Sequence, residues 1–186
     1  KVQAMLKKYD VLFIADEVIC GFGRTGNMWG SETFNLKPDI LTCAKALSSA
    51  YAPISALLIN ETIISEIENQ ANELGIFGHG FTYSAHPMSA AVALRTLEIY
   101  EEKKIVEHVR EMEKSFTERV KDFKKYDFVG DARAIVLIGA IEFVSEPGSN
   151  KKPDPSRKVA AKIQQKIQDA GVILRSLPGD SLAFCP

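Results

Sequence analysis

Cysteine is scarce in this sequence, which contains only Cys20, Cys43 and Cys185, far apart and without a Cys-x-x-Cys pair. This number and spacing argue against a disulfide framework or a zinc site, and they predict reduced thiols in an intracellular, cytoplasmic protein. No apolar run approaches membrane-spanning length. The formal net charge is only −1, so the sequence offers no electrostatic basis for binding nucleic acid or an anionic membrane.

The length of the chain suits one domain, or one domain and part of another, because 186 residues with 46% apolar content can bury a proper core. The chain begins at Lys1 in what resembles the tail of an amphipathic helix, and it ends within a strand-like apolar run over 181–186. We therefore expect the sequence to be part of a larger protein.

The most informative local feature is an apolar run that ends in two acids, Leu12-Phe13-Ile14-Ala15-Asp16-Glu17-Val18. Such a run predicts a strand buried on both faces of a parallel sheet, and ligand sites lie beyond the carboxyl ends of such strands. Three functions use an acid there: a nucleotide-bound magnesium site, a dinucleotide site, and a pyridoxal phosphate site in which Asp16 faces the ring nitrogen. The alternative is a strand end whose acids are solvated or paired with Arg24.

The Gly-x-Gly-x-x-Gly sequence at 21–26 does not support a dinucleotide site. That fingerprint requires a tight turn from a strand into a helix whose N-terminus holds phosphate. Here Gly26, Gly30 and Pro38 leave no room for a full helix. A P-loop ATPase would need a Gly-x-x-x-x-Gly-Lys-Ser/Thr loop, which this sequence lacks.

The rest of the chain alternates between apolar runs and helical spacing. Strands are expected at 39–44, 53–60, 134–144, 172–175 and in the final run. Helices are expected at 61–71 with Asn60 as the cap, at 89–97 with Pro87 in the first turn, at 109–123, and after Asp154-Pro155. This order predicts an α/β layer up to the charged segment 101–104, followed by a smaller α+β unit.

Lys45 ends the second predicted strand, so Lys45 and Asp16 are expected at the same edge of the sheet. They would form a plain ion pair or bracket a flat cofactor. As a Schiff-base lysine, Lys45 would need a desolvated or cationic setting to lose its proton. Asp16 would keep a pyridine nitrogen protonated, with Val18 against the ring. Thr82, in a glycine-rich turn, would donate its hydroxyl to a phosphate.

These motifs resemble those of the class III pyridoxal-phosphate-dependent aminotransferases, and the resemblance covers nearly the whole chain. It is carried by I-A-D-E-V-I-C-G-F-G-R-T-G at 14–26, T-C-A-K-A-L-S-S-A-Y-A-P-I-S-A at 42–56, G-H-G-F-T-Y-S-A-H-P at 78–87 and V-I-L-R at 172–175. The resemblance implies an α/β fold of the type I pyridoxal-phosphate transferases (aspartate-aminotransferase-like). Residues 1–104 would belong to the large, cofactor-binding domain and 105–186 to the small C-terminal domain.

The same resemblance implies roles for individual residues. Asp16 would contact the pyridine nitrogen, Val18 the ring face, and Lys45 would form the internal aldimine and carry the proton. Phe81 and Thr82 would belong to the cofactor site, with Thr82 on the phosphate of a cofactor bound mainly by the neighbouring subunit. The resemblance therefore implies a homodimer with shared active sites.

The resemblance also bears on the substrate. Arg175 corresponds to the arginine that grips a substrate carboxylate in the ω-transaminase branch, a task that suits a planar guanidinium; the alternative is a surface arginine at a strand end. The sequence after Lys45 also resembles that branch, although many relatives have glycine at Ala46 and Ala50.

The implied activity is transfer of an amino group from an amine or ω-amino acid to a keto acid. The alternatives are an aminomutase or decarboxylase on the same scaffold or, from another class, a P-loop ATPase fragment with an Asp-Glu magnesium site. The family's N-terminal part supplies a Gly-Ser phosphate loop and a ring-stacking aromatic residue, and neither occurs here. We therefore expect this chain alone to bind pyridoxal phosphate weakly and to be inactive.

Overall fold

The computed structural model describes all residues, Lys1–Pro186. They form two compact units, Lys1–Val106 and Glu107–Pro186, each with its own sheet and core. The assignment of 1–104 to a large domain and 105–186 to a small domain stays a prediction. None of the helices has the length and apolar character needed to cross a membrane.

The first unit contains a three-stranded sheet. Strand β1 (Ile14–Asp16) pairs in parallel with the central strand β2 (Ile40–Cys43), and β3 (Ala56–Ile59) pairs antiparallel with β2. The sheet is mixed because residues 44–55, which join β2 to β3, contain only a 3₁₀ turn and loop and no crossover α-helix. The helices are α1 (Val2–Lys8), α2 (Gly30–Thr33), α3 (Glu61–Leu74) and α4 (Pro87–Glu102).

The first strand is shorter and more exposed than its apolar sequence predicts. It begins only at Ile14, and the side chains of Val11, Leu12 and Ile14 are 51%, 59% and 58% exposed. The reason is that β1 is an edge strand of this sheet, whereas β2 lies at its centre. Within this chain, the expectation of a strand buried on both faces is therefore wrong for β1.

Asp39 ties the three strands together where β2 begins. One oxygen of its carboxylate accepts a hydrogen bond from Phe13 N at 2.8 Å, and the other accepts one from Asn60 Nδ2 at 2.8 Å. Phe13 directly precedes β1 and Asn60 directly follows β3. This single side chain therefore helps to fix the register in which Asp16 pairs with Thr42.

The core of the first unit lies on one face of its sheet. It consists of buried Phe22, Leu41, Cys43, Leu47 and Ala93, with Met28, Trp29, Ala46, Ile54, Leu97 and Tyr100 packed around them. Side chains alternate between the two faces of a strand, so Thr42 lies on the face opposite to its neighbours in the core. Its register partner Asp16 lies on that same, open face.

The ends of the helices follow the signals in the sequence. Asn60 Oδ1 accepts a hydrogen bond from Ile63 N at 3.0 Å and caps α3, which ends at Gly75 with φ +71°. Pro87 is the first residue of α4, where its missing N–H costs nothing. Both helices extend beyond their predicted last residues.

The second unit is a four-stranded antiparallel sheet with two helices. Its strands β4 (Val129–Ile135), β5 (Ile138–Phe143), β6 (Arg175–Leu177) and β7 (Ser181–Phe184) have the order β4-β5-β7-β6. Helix α5 (Ile105–Asp122) leads into this unit, and α6 (Val159–Asp169) packs on its core. The buried core residues are Val129, Ala132, Ile141, Phe143, Ala160 and Leu182.

The apolar run 134–144 is part of a hairpin and not one long strand, so that prediction is wrong. Ile135 pairs with Ile138, and the chain reverses over Val136 and Leu137. Val136 has φ +49°, a backbone conformation that β-branched residues rarely adopt. The reversal therefore carries none of the glycine or asparagine signals that usually mark such a turn.

The helix expected directly after Asp154 also starts later. Asp154 caps a single 3₁₀ turn, Pro155–Arg157, by accepting a hydrogen bond from Ser156 N at 2.8 Å. Lys158 then adopts φ +47°, which ends this turn, and α6 begins at Val159.

Replacing Leu182 by alanine should destabilise the second unit strongly, because its side chain is only 1% exposed within the core. Truncations of this kind cost about 2–5 kcal/mol of unfolding free energy. Denaturant unfolding followed by circular dichroism measures the effect. Ile173→Ala is the matched control, since Ile173 is 86% exposed; equal losses in both variants would contradict the described core.

Candidate active site

Asp16 ends β1 beside Thr42 of β2, on the open face of the sheet. Thr42 Oγ1 donates a hydrogen bond to Asp16 Oδ1 at 3.3 Å, and Val18 N donates to the same oxygen at 3.0 Å. Both of these hydrogen bonds use Oδ1, and neither uses the second oxygen, Oδ2. A carboxylate held through one oxygen in this way can accept a further donor at the other, such as a ring N–H.

Val18 lies in the turn that follows β1, because the strand ends at Asp16. Its orientation is therefore set by this turn and not by the alternation of a strand. The hydrogen bond from its amide keeps Val18 next to the Asp16 carboxylate, and its side chain is half-buried. Contact between Val18 and a cofactor ring stays a prediction.

Glu17, the acid next to Asp16, has a structural function that the sequence did not reveal. Its side chain is only 3% exposed, and its two oxygens accept hydrogen bonds from Gly30 N at 2.8 Å and Ser31 N at 2.6 Å. These amides begin helix α2, where a negative charge is stabilising. Glu17 therefore anchors the far end of the glycine-rich loop to β1, and both of its oxygens are already used.

The glycine-rich loop packs tightly against its own strand. A Cβ atom at Gly21 would lie 2.8 Å from Glu17 O, and one at Gly30 would lie 2.8 Å from Cys20 Cβ. Contacts this short exclude any larger residue without rearrangement. These glycines therefore serve close packing of the loop, in agreement with the argument against a dinucleotide site.

Lys45 begins the 3₁₀ turn Lys45–Leu47, directly after β2, and has φ +47°. A residue other than glycine loses roughly 1–2 kcal/mol in this left-handed region, so surrounding contacts must hold the turn. The Lys45 side chain is exposed and forms no salt bridge in the structure. A plain ion pair between Asp16 and Lys45 is therefore not present.

Buried side chains hold the turn after β2 against the core. Leu47 is part of the core, and Ser48 Oγ donates a hydrogen bond to Ala52 O at 2.6 Å with only 2% of Ser48 exposed. Burial raises the pKa of the Cys43 thiol, which keeps this group protonated as a core side chain. Ala50 has φ +64°, a conformation that glycine adopts without strain.

Phe81 and Thr82 lie in the loop between α3 and α4, and both are exposed. Phe81 N donates to Ser84 Oγ at 3.2 Å, and the rings of His79 and Phe81 meet edge to face at 5.3 Å. Thr82 Oγ1 has no hydrogen-bond partner within the chain. The predicted cofactor contacts of Phe81 and Thr82 stay predictions.

Arg175 is the first residue of β6 in the second unit, so the expected strand over 172–175 begins where it was predicted to end. Its side chain is exposed and forms no salt bridge. The guanidinium is therefore able to bind a carboxylate ligand. Its predicted function as a substrate-binding residue stays a prediction.

Comparison with known proteins gives a consistent result. The profile of the family described as "Aminotransferase class-III" matches residues 1–186. The gamma aminobutyrate transaminase 3 (chloroplastic) of Solanum lycopersicum is 46% identical over 186 residues, which are 100% of this chain and 36% of the relative. An uncharacterized aminotransferase of Sinorhizobium fredii is 45% identical over 187 residues, 100% of this chain and 40% of the relative.

Solved structures agree in fold. A structure described as "Transaminase with L-ala" has a TM-score of 0.94 and 47% identity, covering 100% of this chain and 43% of that one. The PMP-bound form of an aminotransferase from Vibrio fluvialis has a TM-score of 0.95 and 34% identity, covering 100% and 41%. The chain thus spans less than half the length of these relatives. Their TM-scores confirm the predicted α/β fold of the type I pyridoxal-phosphate transferases.

Replacing Glu17 by glutamine should destabilise the first unit, because a carboxamide cannot accept both amide hydrogen bonds. Leaving a buried N–H without a partner costs about 1–3 kcal/mol of unfolding free energy. The control is Glu66→Gln on the exposed face of α3. Denaturant unfolding measures both variants, and an unchanged midpoint for Glu17→Gln would show that the buried carboxylate does not anchor the loop.

Proposed function

This chain belongs to the class III aminotransferase family, and we propose that the protein containing it is a pyridoxal-phosphate-dependent transaminase. It would move an amino group from an amine or ω-amino acid to a keto acid. The observation that carries the proposal is the pairing of Asp16 with Thr42 at the carboxyl end of two parallel strands, with Lys45 in the turn directly after β2. An acid and an amine are thereby presented at one sheet edge.

The side chains present fit pyridoxal phosphate. The group has a basic ring nitrogen, an aldehyde and a phosphate, and the chain offers the Asp16 oxygen that the hydrogen bonds from Thr42 and Val18 do not use, a lysine without a salt bridge, and a threonine hydroxyl. When bound, the cofactor supplies an aldehyde that takes up the amino group and a ring that draws electrons from the substrate. A PMP-bound form is described for the Vibrio relative.

Asp16 would hold a proton on the ring nitrogen through its second oxygen, Oδ2. The hydrogen bonds from Thr42 and Val18 to Oδ1 restrict rotation of the carboxylate, so Oδ2 has a defined direction. A fixed negative charge stabilises a protonated nitrogen better than a mobile one, because no reorganisation is needed. Val18 would contact the face of the ring beside this carboxylate.

Lys45 would act through its Nζ atom, first as the attachment point of the cofactor and then as the base that moves a proton at the substrate carbon. Both tasks need the neutral amine, which is favoured by loss of contact with water. Since the Lys45 side chain is exposed within this chain, its surroundings in the assembled enzyme must include further protein.

We propose that a second copy of the protein covers Lys45 in the assembled enzyme. Large apolar side chains are exposed along the segment from the end of α3 to the start of α4: Leu74, Ile76, Phe77, Phe81, Tyr83 and Met88, at 69%, 65%, 59%, 75%, 81% and 67%. Exposed apolar segments of this kind mark protein interfaces. Thr82 lies among them, so a homodimer would carry its hydroxyl to the phosphate in the partner's site.

The substrate class rests on Arg175 and on the relatives. An exposed, unpaired guanidinium suits the carboxylate of an ω-amino acid, and the tomato and rice relatives are named gamma-aminobutyrate transaminases. An aminomutase or decarboxylase would use the same cofactor, but no observation favours either. The magnesium-site hypothesis has no support, since both Glu17 oxygens bind backbone amides. A cytoplasmic location stays a proposal; relatives include chloroplastic and mitochondrial proteins.

Borohydride reduction tests the proposal, because it fixes a cofactor bound to lysine as a stable secondary amine. In the full-length protein loaded with pyridoxal phosphate, we expect the label on the peptide that contains Lys45. Lys45→Ala should remove both the label and the visible absorbance band, and Lys8→Ala should leave both unchanged. The isolated chain should be labelled weakly. Labelling of another lysine, or none in the full-length protein, would contradict the proposed function.

A further inference from the structure

We propose that Tyr100 positions Lys45: its hydroxyl clamps the strained turn that carries the lysine and so sets where the Lys45 amine lies. This inference rests on the proposed function of Lys45, but it concerns a residue on a different element, helix α4. Tyr100 is a positioning residue because it contacts the backbone of the turn and not the reacting atoms.

The Tyr100 hydroxyl contacts both the 3₁₀ turn Lys45–Leu47 and the segment that follows it. It donates a hydrogen bond to Ala46 O at 2.7 Å and lies 3.3 Å from Ser49 Oγ. A tyrosine has one hydroxyl proton, and the shorter bond uses it. Ser49 must therefore be the donor in the second contact. One hydroxyl thus joins the residue after Lys45 to a residue just beyond the 3₁₀ turn.

The turn needs such a clamp because its backbone is strained on both sides of these contacts. Lys45, Ser49 and Ala50 have φ values of +47°, +48° and +64°. Side chains other than glycine each lose energy in this region and relax from it when neighbouring contacts are lost. The backbone bond that also reaches Ala46 O, from Ser49 N, is longer at 3.3 Å. The tyrosine supplies the shorter hydrogen bond to this carbonyl.

The position of the Tyr100 hydroxyl is well defined because the Tyr100 ring packs against the core of the first unit. It stacks on Phe22 with 6.2 Å between ring centroids, and Phe22 meets Trp29 edge-on at 5.0 Å. Phe22 and Trp29 belong to the glycine-rich loop that follows Asp16. Tyr100 therefore contacts both segments of the site: the loop after the acid through its ring, and the turn of the lysine through its hydroxyl.

A shift of the turn should affect the chemical step more than substrate binding. Lys45 must reach both the cofactor and the substrate carbon, and small displacements of a reacting group slow such steps strongly. The proposed carboxylate-binding residue, Arg175, belongs to β6 of the second unit and not to the turn whose backbone Tyr100 holds. We therefore expect kcat to change and KM to stay nearly constant.

The test is Tyr100→Phe in the full-length holoenzyme, because phenylalanine keeps the stacked ring and removes only the hydroxyl. We expect kcat to fall about tenfold with KM for the amine within about twofold. In the cofactor-free protein, amides of residues 47–49 should exchange with deuterium about tenfold faster. Tyr9→Phe, whose exposed hydroxyl makes no hydrogen bond, should change neither quantity.

A second variant covers the case in which Tyr100→Phe does not fold. Ser49→Ala removes only the weaker contact of the clamp and should lower kcat about two- to threefold, again with constant KM. The inference is overturned if both variants keep the wild-type kcat and exchange rates, or if Tyr100→Phe loses thermal stability alone. Failure of borohydride to label Lys45 in the wild type overturns the proposed function as well; normal labelling with unchanged variants overturns this inference alone.

Discussion

The pairing of two short parallel strands is the constraint on which the candidate site depends. Parallel pairing brings the carboxyl ends of β1 and β2 to one edge, and the register sets Asp16 beside Thr42. The Asp39 carboxylate fixes this register from the opposite end through Phe13 and Asn60. A slip by one residue would turn Asp16 to the core face of the sheet and remove the acid from the site.

Polar groups outside the proposed catalytic set hold this edge in place. Glu17 binds the amides of α2, and the Tyr100 hydroxyl binds the turn of Lys45. The buried Glu17 carboxylate would be costly without its two hydrogen bonds, so it specifies one arrangement of its loop, and the part-buried Tyr100 hydroxyl adds a fixed contact to the other. The reactive side chains differ, since Asp16 and Lys45 are exposed and keep groups free for a ligand. Binding of a small, rigid cofactor requires this combination of a rigid backbone and exposed reactive side chains.

The sequence alone predicted features that depend on local chemistry or on pattern. These include the Asn60 cap, Pro87 at the start of α4, and the common edge for the ends of β1 and β2. It did not predict the reversal at Val136, because tertiary packing imposes a turn conformation that the residue itself disfavours. Nor did it reveal Glu17 or Tyr100. Their partners lie 13 and 54 residues away in the chain, a separation that no periodic pattern encodes.

The nitrogen resonance of bound pyridoxal phosphate tests the central claim most directly, because it reports the proton that Asp16 is proposed to hold. With ¹⁵N-labelled cofactor on the full-length protein, the account predicts a chemical shift typical of a protonated ring nitrogen. Asp16→Asn should move that shift toward the unprotonated value while the cofactor stays bound to Lys45. An identical shift in both proteins would mean that Asp16 does not face the ring, and it would contradict the account.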